Sequence, residues 1–198
     1  RTIINNELTQ GFPGIMGGLR DKESSLVTSR EGAGGQFTKN LLDILRLQRM
    51  PKSSTLLIKA QGQLSSHILT ATEQYQLGGI ANLRGFAPGE AVGDKGGSVT
   101  AEWSFPAYGL PKNWKSPFSK SMVYDALRLA IFYDCGKVSL RNPTNDEQKT
   151  RTMSDYGVGF RYDLPDNFSV RVDVAWPINE RPADKGTFKT WFKISKDF

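Results

Sequence analysis

Cysteine and histidine are almost missing from this sequence of 198 residues, which has one of each, Cys135 and His67. A single cysteine excludes an intrachain disulfide framework, and the pair is too few for a zinc site of cysteine and histidine ligands. Long apolar runs are missing as well, since no stretch approaches the roughly 18 apolar residues of a membrane helix. Transmembrane β-strands alternate apolar and polar side chains. The mean hydropathy of -0.43 therefore does not separate a soluble protein from a transmembrane β-barrel.

Signals for catalysis, cofactors and nucleic acid are absent too. The glycine-rich runs lack the Lys-Ser/Thr pair of a phosphate-binding loop. Cys135 and His67 would be a nucleophile and a base, but Cys135 shares the strand face of Leu129 and Ile131, where a small inert hydrophobe is expected. The net charge of +6 comes from 26 basic and 20 acidic residues, and the basic residues are scattered. We therefore expect no enzyme, no catalytic residue, no cofactor, no metal and no nucleic-acid partner.

Clear alternation of apolar and polar residues begins at Thr55 and recurs, between loops, through the rest of the sequence. This period of two, rich in β-branched and aromatic residues, predicts β-strands. Residues 2–12 form a weaker strand pattern, and residues 36–50 fit a helix or a strand, so periodicity leaves both segments open. One face of the predicted strands is apolar: Leu56, Ile58, Val99, Trp103, Leu129, Ile131, Val158, Phe160, Val170, Val172, Phe192 and Ile194. The other is polar: Lys59, Glu102, Arg128, Asp134, Arg161, Arg171 and Asp173.

Two all-β folds produce this alternation. In a soluble β-sandwich the apolar face lies inside, between two sheets. In a transmembrane β-barrel it faces lipid. Segments near ten residues, tyrosine and tryptophan near strand ends, and several long connections beside one short turn at 165–167 favour the antiparallel transmembrane barrel.

Residues 77–86, Leu-Gly-Gly-Ile-Ala-Asn-Leu-Arg-Gly-Phe, interrupt the strands. We expect neither a helix nor a packed strand in so glycine-rich a segment, and more glycines extend the irregular run to Gly97. Arg84 has no acidic neighbour in sequence closer than Glu90. The loop is therefore either a mobile surface loop with a solvated arginine, or a loop folded back with Arg84 paired to a distant carboxylate.

Two motifs now point to a family. Leu77-Gly78-Gly79 followed by Leu83-Arg84-Gly85-Phe86 resembles the Val-Arg-Gly-Phe/Tyr signature of outer-membrane protein-translocating barrels. Phe132-Tyr133-Asp134-Cys135-Gly136 resembles the Phe-x-Asp-x-Gly signature of a later strand in the same proteins. Residues 29–33, 37–38, 46–49 and 73–75 resemble the two-partner secretion transporters of the haemolysin-activation type more than the barrel-assembly proteins.

The resemblance implies that residues 1–198 are the C-terminal half of an outer-membrane β-barrel, about eight strands, without the upstream strands and periplasmic modules. It implies passage of an unfolded secreted partner protein through the barrel in the bacterial outer membrane. Lipid and the barrel-assembly machinery would be further partners. A barrel-assembly insertase of the same superfamily is the alternative within membranes, and a β-sandwich binding module is the alternative outside them.

The resemblance and the strand faces together assign site residues. Leu83, Arg84, Gly85 and Phe86 form the functional loop. Asp134 lies on the polar face, where it would pair with an inward-folded Arg84, with Glu102 as a second acceptor and Gly136 permitting close approach. The last strand, with Phe192, Ile194 and Phe198, resembles a C-terminal insertion signal, although an ordinary amphipathic strand has the same pattern.

Overall fold

The structure, a computed structural model, describes residues 1–24, 26–111, 113–115, 122–164 and 168–196. Eight of its strands form one antiparallel sheet, and two short ones form a separate hairpin. A one-turn helix, α1 (Val123–Ala126), precedes β7. The strands are β1 (Thr2–Gly11), β2 (Phe37–Met50), β3 (Ser54–Ser65), β4 (Tyr75–Leu77), β5 (Ala91–Gly93), β6 (Lys95–Pro106), β7 (Leu127–Ser139), β8 (Thr150–Leu164), β9 (Phe168–Pro177) and β10 (Lys189–Lys196).

The main sheet has the order β1-β2-β3-β6-β7-β8-β9-β10, so each of its strands pairs with the next one along the chain. The prediction of an all-β antiparallel fold is confirmed. Both uncertain segments are strands. In β2, Leu45 lies opposite Lys59 while Ile44 lies opposite Ala60, so apolar side chains occur on both faces. This explains why no period of two could be read there.

The predicted apolar band is continuous across the sheet. Trp103 lies opposite both Leu56 and Ile131, and the next pairs along the band are Ile131 with Val158 and Val158 with Val174. At the far edge Phe192 lies opposite Val172. This face is exposed, and Trp103 and Ile131 retain 45% and 46% of their accessible surface. Because no second sheet covers the band in the described part of the chain, the β-sandwich alternative is wrong.

The β4–β5 hairpin and the glycine-rich loop pack on the opposite, polar face. Their apolar side chains form a buried cluster with two residues of that face: Tyr75, Leu77, Leu83, Phe86, Ala91, Val138 and Met153. The predicted irregular run to Gly97 is too long, since Gly93 ends β5 and β6 already begins at Lys95. Glycine is needed there for packing, because a Cβ atom at Gly96 would lie 2.5 Å from Cδ1 of Tyr75.

Four connections leave one end of the sheet. Because neighbouring strands run in opposite directions, connections 12–36, 66–94, 140–149 and 178–188 share this end, which we call the loop end, and connection 107–126 leaves the opposite end. The short turn predicted at 165–167 lies outside the described residues. Among the residues that are described, no helix is long and apolar enough to cross a membrane.

Candidate functional site

Arg84 is attached to Asp134 of β7 by its side chain and its main chain. Its Nε donates to Oδ2 of Asp134 at 2.8 Å and its Nη2 donates to Oδ1 at 2.9 Å, which is a bidentate pair. The backbone N–H of Arg84 also points at Oδ2, at 3.3 Å. Arg84 and Asp134 are 2% and 0% exposed. Bidentate pairing fixes orientation as well as distance, so the carboxylate determines where the loop tip lies.

Glu102 of β6 is the second acceptor, and it joins Arg84 to a wider ionic network. The Nη1 of Arg84 donates to Oε2 of Glu102 at 2.6 Å. Arg161 of β8 donates to both carboxylate oxygens of Glu102 at 2.9 Å. Asp173 of β9 pairs with Arg161 at 2.7 Å and with Arg171 at 2.6 Å. Each buried acid of the network is therefore paired with at least one arginine, as buried charges must be.

Two aromatic residues complete the surroundings of Arg84. Its Cζ lies 3.3 Å from the ring centroid of Phe132, two residues before Asp134 on the same face of β7. Such a stack is a cation–π contact. On β10, the indole Nε1 of Trp191 donates to the backbone carbonyl of Arg84 at 2.6 Å. Arg84 is thus held by β6, β7 and β10.

The loop itself is organised by Asn82. Its side-chain oxygen accepts from the N–H groups of Gly78 and Leu83, at 2.9 and 2.8 Å, and its Nδ2 donates to the carbonyl of Gln76. Gly78 and Gly79 have φ values of +108° and +91°, a region that residues other than glycine rarely adopt. The Leu-Gly-Gly motif therefore supplies the reversal that presents Leu83 and Arg84 to the sheet.

Glycines at the contact let the loop and the sheet approach each other. A Cβ atom on Gly136 would lie 2.7 Å from Leu77 and 3.0 Å from Leu83. A Cβ atom on Gly85 would lie 2.6 Å from the Cβ of Asp155 on β8. Phe86 is fully buried beside them. The motif glycines thus stand where the loop packs against the sheet.

Asp155 is an unusual buried acid at the same place. It lies opposite Asp134 in the register of β7 and β8 and is 0% exposed. Both of its carboxylate oxygens lack a hydrogen-bond partner of good geometry among the described residues. A buried carboxyl beside another carboxylate is costly unless its charge is compensated.

Burial disfavours the charged guanidinium of Arg84, but the hydrogen bonds and negative charges of Asp134 and Glu102 outweigh burial and raise its pKa. A raised pKa means that the stabilisation is present at low pH and is lost only as the pH rises through the folded value. For an arginine that value is above any pH at which proteins are studied. Arg84 is therefore a permanent cation.

A second ionic cluster, which we call the Asp94 cluster, ties connections together at the loop end. Asp94 is 0% exposed and accepts from Arg30 at 2.5 and 3.0 Å. It also accepts from the backbone N–H groups of Leu69 and Arg141, at 2.7 and 2.6 Å. Arg30 belongs to connection 12–36, Leu69 to connection 66–94 and Arg141 to connection 140–149. One carboxylate thus joins three connections.

The structure brings together most of the predicted site. Leu83, Arg84, Gly85 and Phe86 form one packed segment, and Asp134, Glu102 and Gly136 all contact it or Arg84. Phe192 and Ile194 lie apart from it on the apolar face, and Phe198 lies outside the described residues. Sequence reasoning missed the contacts of Asn82, Trp191, Phe132 and Asp155. For Trp191 a signal existed, since it is an aromatic residue at a polar-face position of its strand.

The site contains paired charges and closely packed side chains rather than groups arranged for metal binding. Among the residues that the structure describes, no three His, Cys, Asp or Glu residues stand close enough to bind a metal ion. The carboxylates of the network already accept from arginines. What this arrangement does is hold a loop against a sheet.

Comparisons with known proteins agree with this geometry. The Omp85 superfamily domain matches residues 34–198. The chain is similar to the heme/hemopexin transporter protein HuxB of Haemophilus influenzae strain 86-028NP, with 25% identity over 158 residues, 76% of this chain and 25% of that protein. A second Haemophilus influenzae HuxB sequence is 28% identical over 157 residues, with the same two shares. The chain spans about a quarter of the length of these curated relatives.

Solved structures show the same fold. CdiB from Escherichia coli superposes with a TM-score of 0.68 at 17% identity, covering 98% of this chain and 33% of that chain. CdiB from Acinetobacter baumannii gives a TM-score of 0.57 at 20% identity, covering 83% of this chain and 27% of that chain. The sheet and its strand order are therefore shared with longer proteins.

Proposed function

The chain belongs to the Omp85 superfamily, and we propose that it forms the C-terminal part of an outer-membrane β-barrel that carries an unfolded secreted protein across the membrane. Members of this family are transport proteins of the Gram-negative outer membrane rather than enzymes. The observation that carries the proposal is the Arg84 site, in which a loop is anchored to the polar face of a sheet whose opposite face is an exposed apolar band.

In the whole protein, we propose, further strands pair with both edges of the sheet and close the barrel. Strands β1 and β10 are the edges of the eight-stranded sheet. An open edge in lipid would leave backbone N–H and C=O groups without partners, and only closed barrels avoid this cost. About 16 strands fall within the range of such barrels, so this chain would supply half of the wall.

With the barrel closed, the apolar band faces lipid and the polar face lines the interior. The anchored loop then lies inside the barrel, where Arg84, Asp134 and Glu102 fix it to the wall. A loop held in the pore narrows the path of a translocating chain, and its position decides how much room remains. The proposed passage of an extended polypeptide uses neither nucleotide nor metal.

The two-partner branch is favoured over a barrel-assembly insertase by the relatives. HuxB is named a heme/hemopexin transporter protein, and the superposed structures are CdiB proteins. The C-terminal strand has a role in either case. We propose that Phe192, Ile194 and Phe198 form the signal by which the barrel-assembly machinery recognises the chain for insertion into lipid.

Comparative secretion tests the proposal. Proteins in the growth medium are compared by mass spectrometry between the parent strain and a strain without the gene of the full-length protein. One or a few large proteins should disappear and should return with the wild-type gene, but return poorly with Arg84→Ala. A medium that does not change, while other outer-membrane barrels decline, would instead identify an insertase.

A further inference from the structure

Trp191 breaks the pattern of its strand. The other side chains on the same face of β10 are Lys189, Lys193 and Ser195, while the apolar side chains Phe192 and Ile194 lie on the opposite face. Trp191 is only partly buried and stands opposite Asp173 of β9. A large aromatic ring at a polar-face position has to be explained by something it contacts on that face.

That contact is the loop. The indole Nε1 donates to the carbonyl oxygen of Arg84 at 2.6 Å. Tryptophan has one donor and no acceptor, so this hydrogen bond uses its whole polar capacity. The residue Arg84 is 2% exposed, and a buried carbonyl that loses its partner pays the desolvation penalty without compensation.

We propose that Trp191 is a positioning residue that couples docking of the Arg84 loop to the placement of the edge strand β10. The side chain and the backbone carbonyl of Arg84 bind strands that are not neighbours in the sheet. Its side chain binds Asp134 and Glu102, on β7 and β6, and its carbonyl binds Trp191, on β10. Strands β8 and β9 lie between, so one residue bridges five neighbouring strands.

The hydrogen bond between Trp191 and Arg84 matters because β10 is an edge strand of the sheet. In the described part of the chain, β10 pairs with β9 and lies at the end of the strand order. Edge strands fray and open more readily than central ones. A hydrogen bond from β10 to a loop that is itself anchored to β6 and β7 adds a second attachment. When the loop leaves its site, β10 loses this attachment.

The coupling rests on the proposed function in one respect: in a closed barrel, β10 borders a strand from the rest of the protein. Release of the loop would therefore loosen the junction at which the two parts of the barrel meet. The anchoring itself concerns contacts within this chain, and it is tested without any transport assay.

The test measures backbone hydrogen exchange in the full-length protein in detergent micelles. Trp191→Phe keeps the ring and removes the donor. We expect exchange in residues 78–86 and in β10 to become about three- to tenfold faster, as loss of one buried hydrogen bond predicts. Trp176→Phe is the matched control, because Trp176 lies on the opposite, apolar face, stacked on Tyr156. Trp176→Phe should leave the exchange rates of residues 78–86 and of β10 unchanged.

A reciprocal measurement covers the case in which Trp191→Phe folds poorly. In Arg84→Ala, the indole N–H signal of Trp191 should shift and exchange faster with solvent, while that of Trp176 stays the same. Exchange in β10 should rise as well. The coupling would be overturned if hydrogen exchange in β10 were unchanged in both variants, or if the Trp191 indole signal were unchanged in Arg84→Ala.

Secretion separates this inference from the proposed function. Faster exchange in Trp191→Phe with normal secretion would keep the coupling and count against a transport role for loop position. Reduced secretion with unchanged exchange would support the transport role and overturn the coupling.

Discussion

The guanidinium carbon of Arg84 lies 3.3 Å from the centroid of the Phe132 ring, while Asp134, two residues further along β7, binds its Nε and Nη2. Residues two apart in a strand share a face. The Phe-x-Asp spacing therefore presents a ring and a carboxylate side by side to one arginine. The first sequence motif thus supplies the Arg84 side chain, and the second supplies the aromatic ring and the carboxylate that bind it.

Arg84→Lys should lose most of the anchoring, although it keeps the charge. A lysine ammonium is a point charge that neither stacks flat on Phe132 nor spans Asp134 and Glu102 together. We expect secretion by the full-length protein to fall at least several-fold, with the barrel still present in the membrane. Limited proteolysis of the loop measures release directly. Arg151→Lys is the control, because Arg151 is partly exposed and its ion pair with Glu180 contributes about 1 kcal/mol or less.

Arg84→Ala and Asp134→Ala should be strongly non-additive. Removing either partner of a buried pair leaves an uncompensated charge, at a cost of about 3–5 kcal/mol. Removing both eliminates the pair and the orphaned charge together. The double variant should therefore secrete about as well as the worse single variant. Defects that multiply in the double variant would show that the two residues act independently.

Prediction of the fold from sequence succeeded where burial is one-sided. On β6 to β10 each strand has one apolar and one polar face, so the alternation gave the strands and their faces. It failed to decide β2, where Leu45 and Ile44 face opposite sides and both are apolar. It also missed the β4–β5 hairpin, because strands of three residues carry no usable period.

The site was predictable only in part, for a physical reason. Asp134 and Glu102 could be proposed as partners because strand parity and the motif both pointed to them. Asn82 and Asp155 could not, since their roles depend on the path of the loop in three dimensions. The contact of Trp191 with Arg84 joins residues 107 positions apart, and no local pattern encodes it.

Gly85→Ala tests the close approach of loop and sheet. The new methyl group would lie 2.6 Å from the Cβ of Asp155 and 3.1 Å from the backbone nitrogen of Pro177, and neither atom is free to rotate away. We expect the loop to be displaced and the phenotype of Arg84→Ala to appear with all charges in place. Gly62→Ala is the matched control, because its new Cβ would have no neighbour closer than 4.0 Å. Normal loop protection in Gly85→Ala would contradict the packing argument.

Asp94→Asn should loosen the loop end without releasing Arg84. The amide would place an NH2 group, itself a donor, where one carboxylate oxygen of Asp94 accepts from N–H groups, and it would leave Arg30 without its counterion, at a cost of about 3 kcal/mol. Limited proteolysis should then cut connection 12–36 faster, while the loop 78–86 stays protected. Glu73→Gln removes a more exposed ion pair with Lys39 and should change little. Equal rates of cleavage in connection 12–36 for Asp94→Asn and Glu73→Gln would show that Asp94 has no special role at the loop end.

A pair of neighbouring residues tests which face of the sheet meets lipid. Leu57 and Ile58 are adjacent on β3 and similarly buried, but Leu57 lies opposite Glu102 on the polar face and Ile58 lies opposite Ala101 on the apolar face. In a barrel, a lysine near the middle of the lipid face costs about 2–4 kcal/mol. Ile58→Lys should therefore lower the amount of folded full-length protein in the outer membrane, measured by its heat-modifiable mobility in gel electrophoresis. Leu57→Lys places the same charge one residue away, beside a carboxylate, and should fold nearly normally. The reverse order would mean that the apolar band lines an interior, and the membrane orientation proposed for this sheet would be wrong.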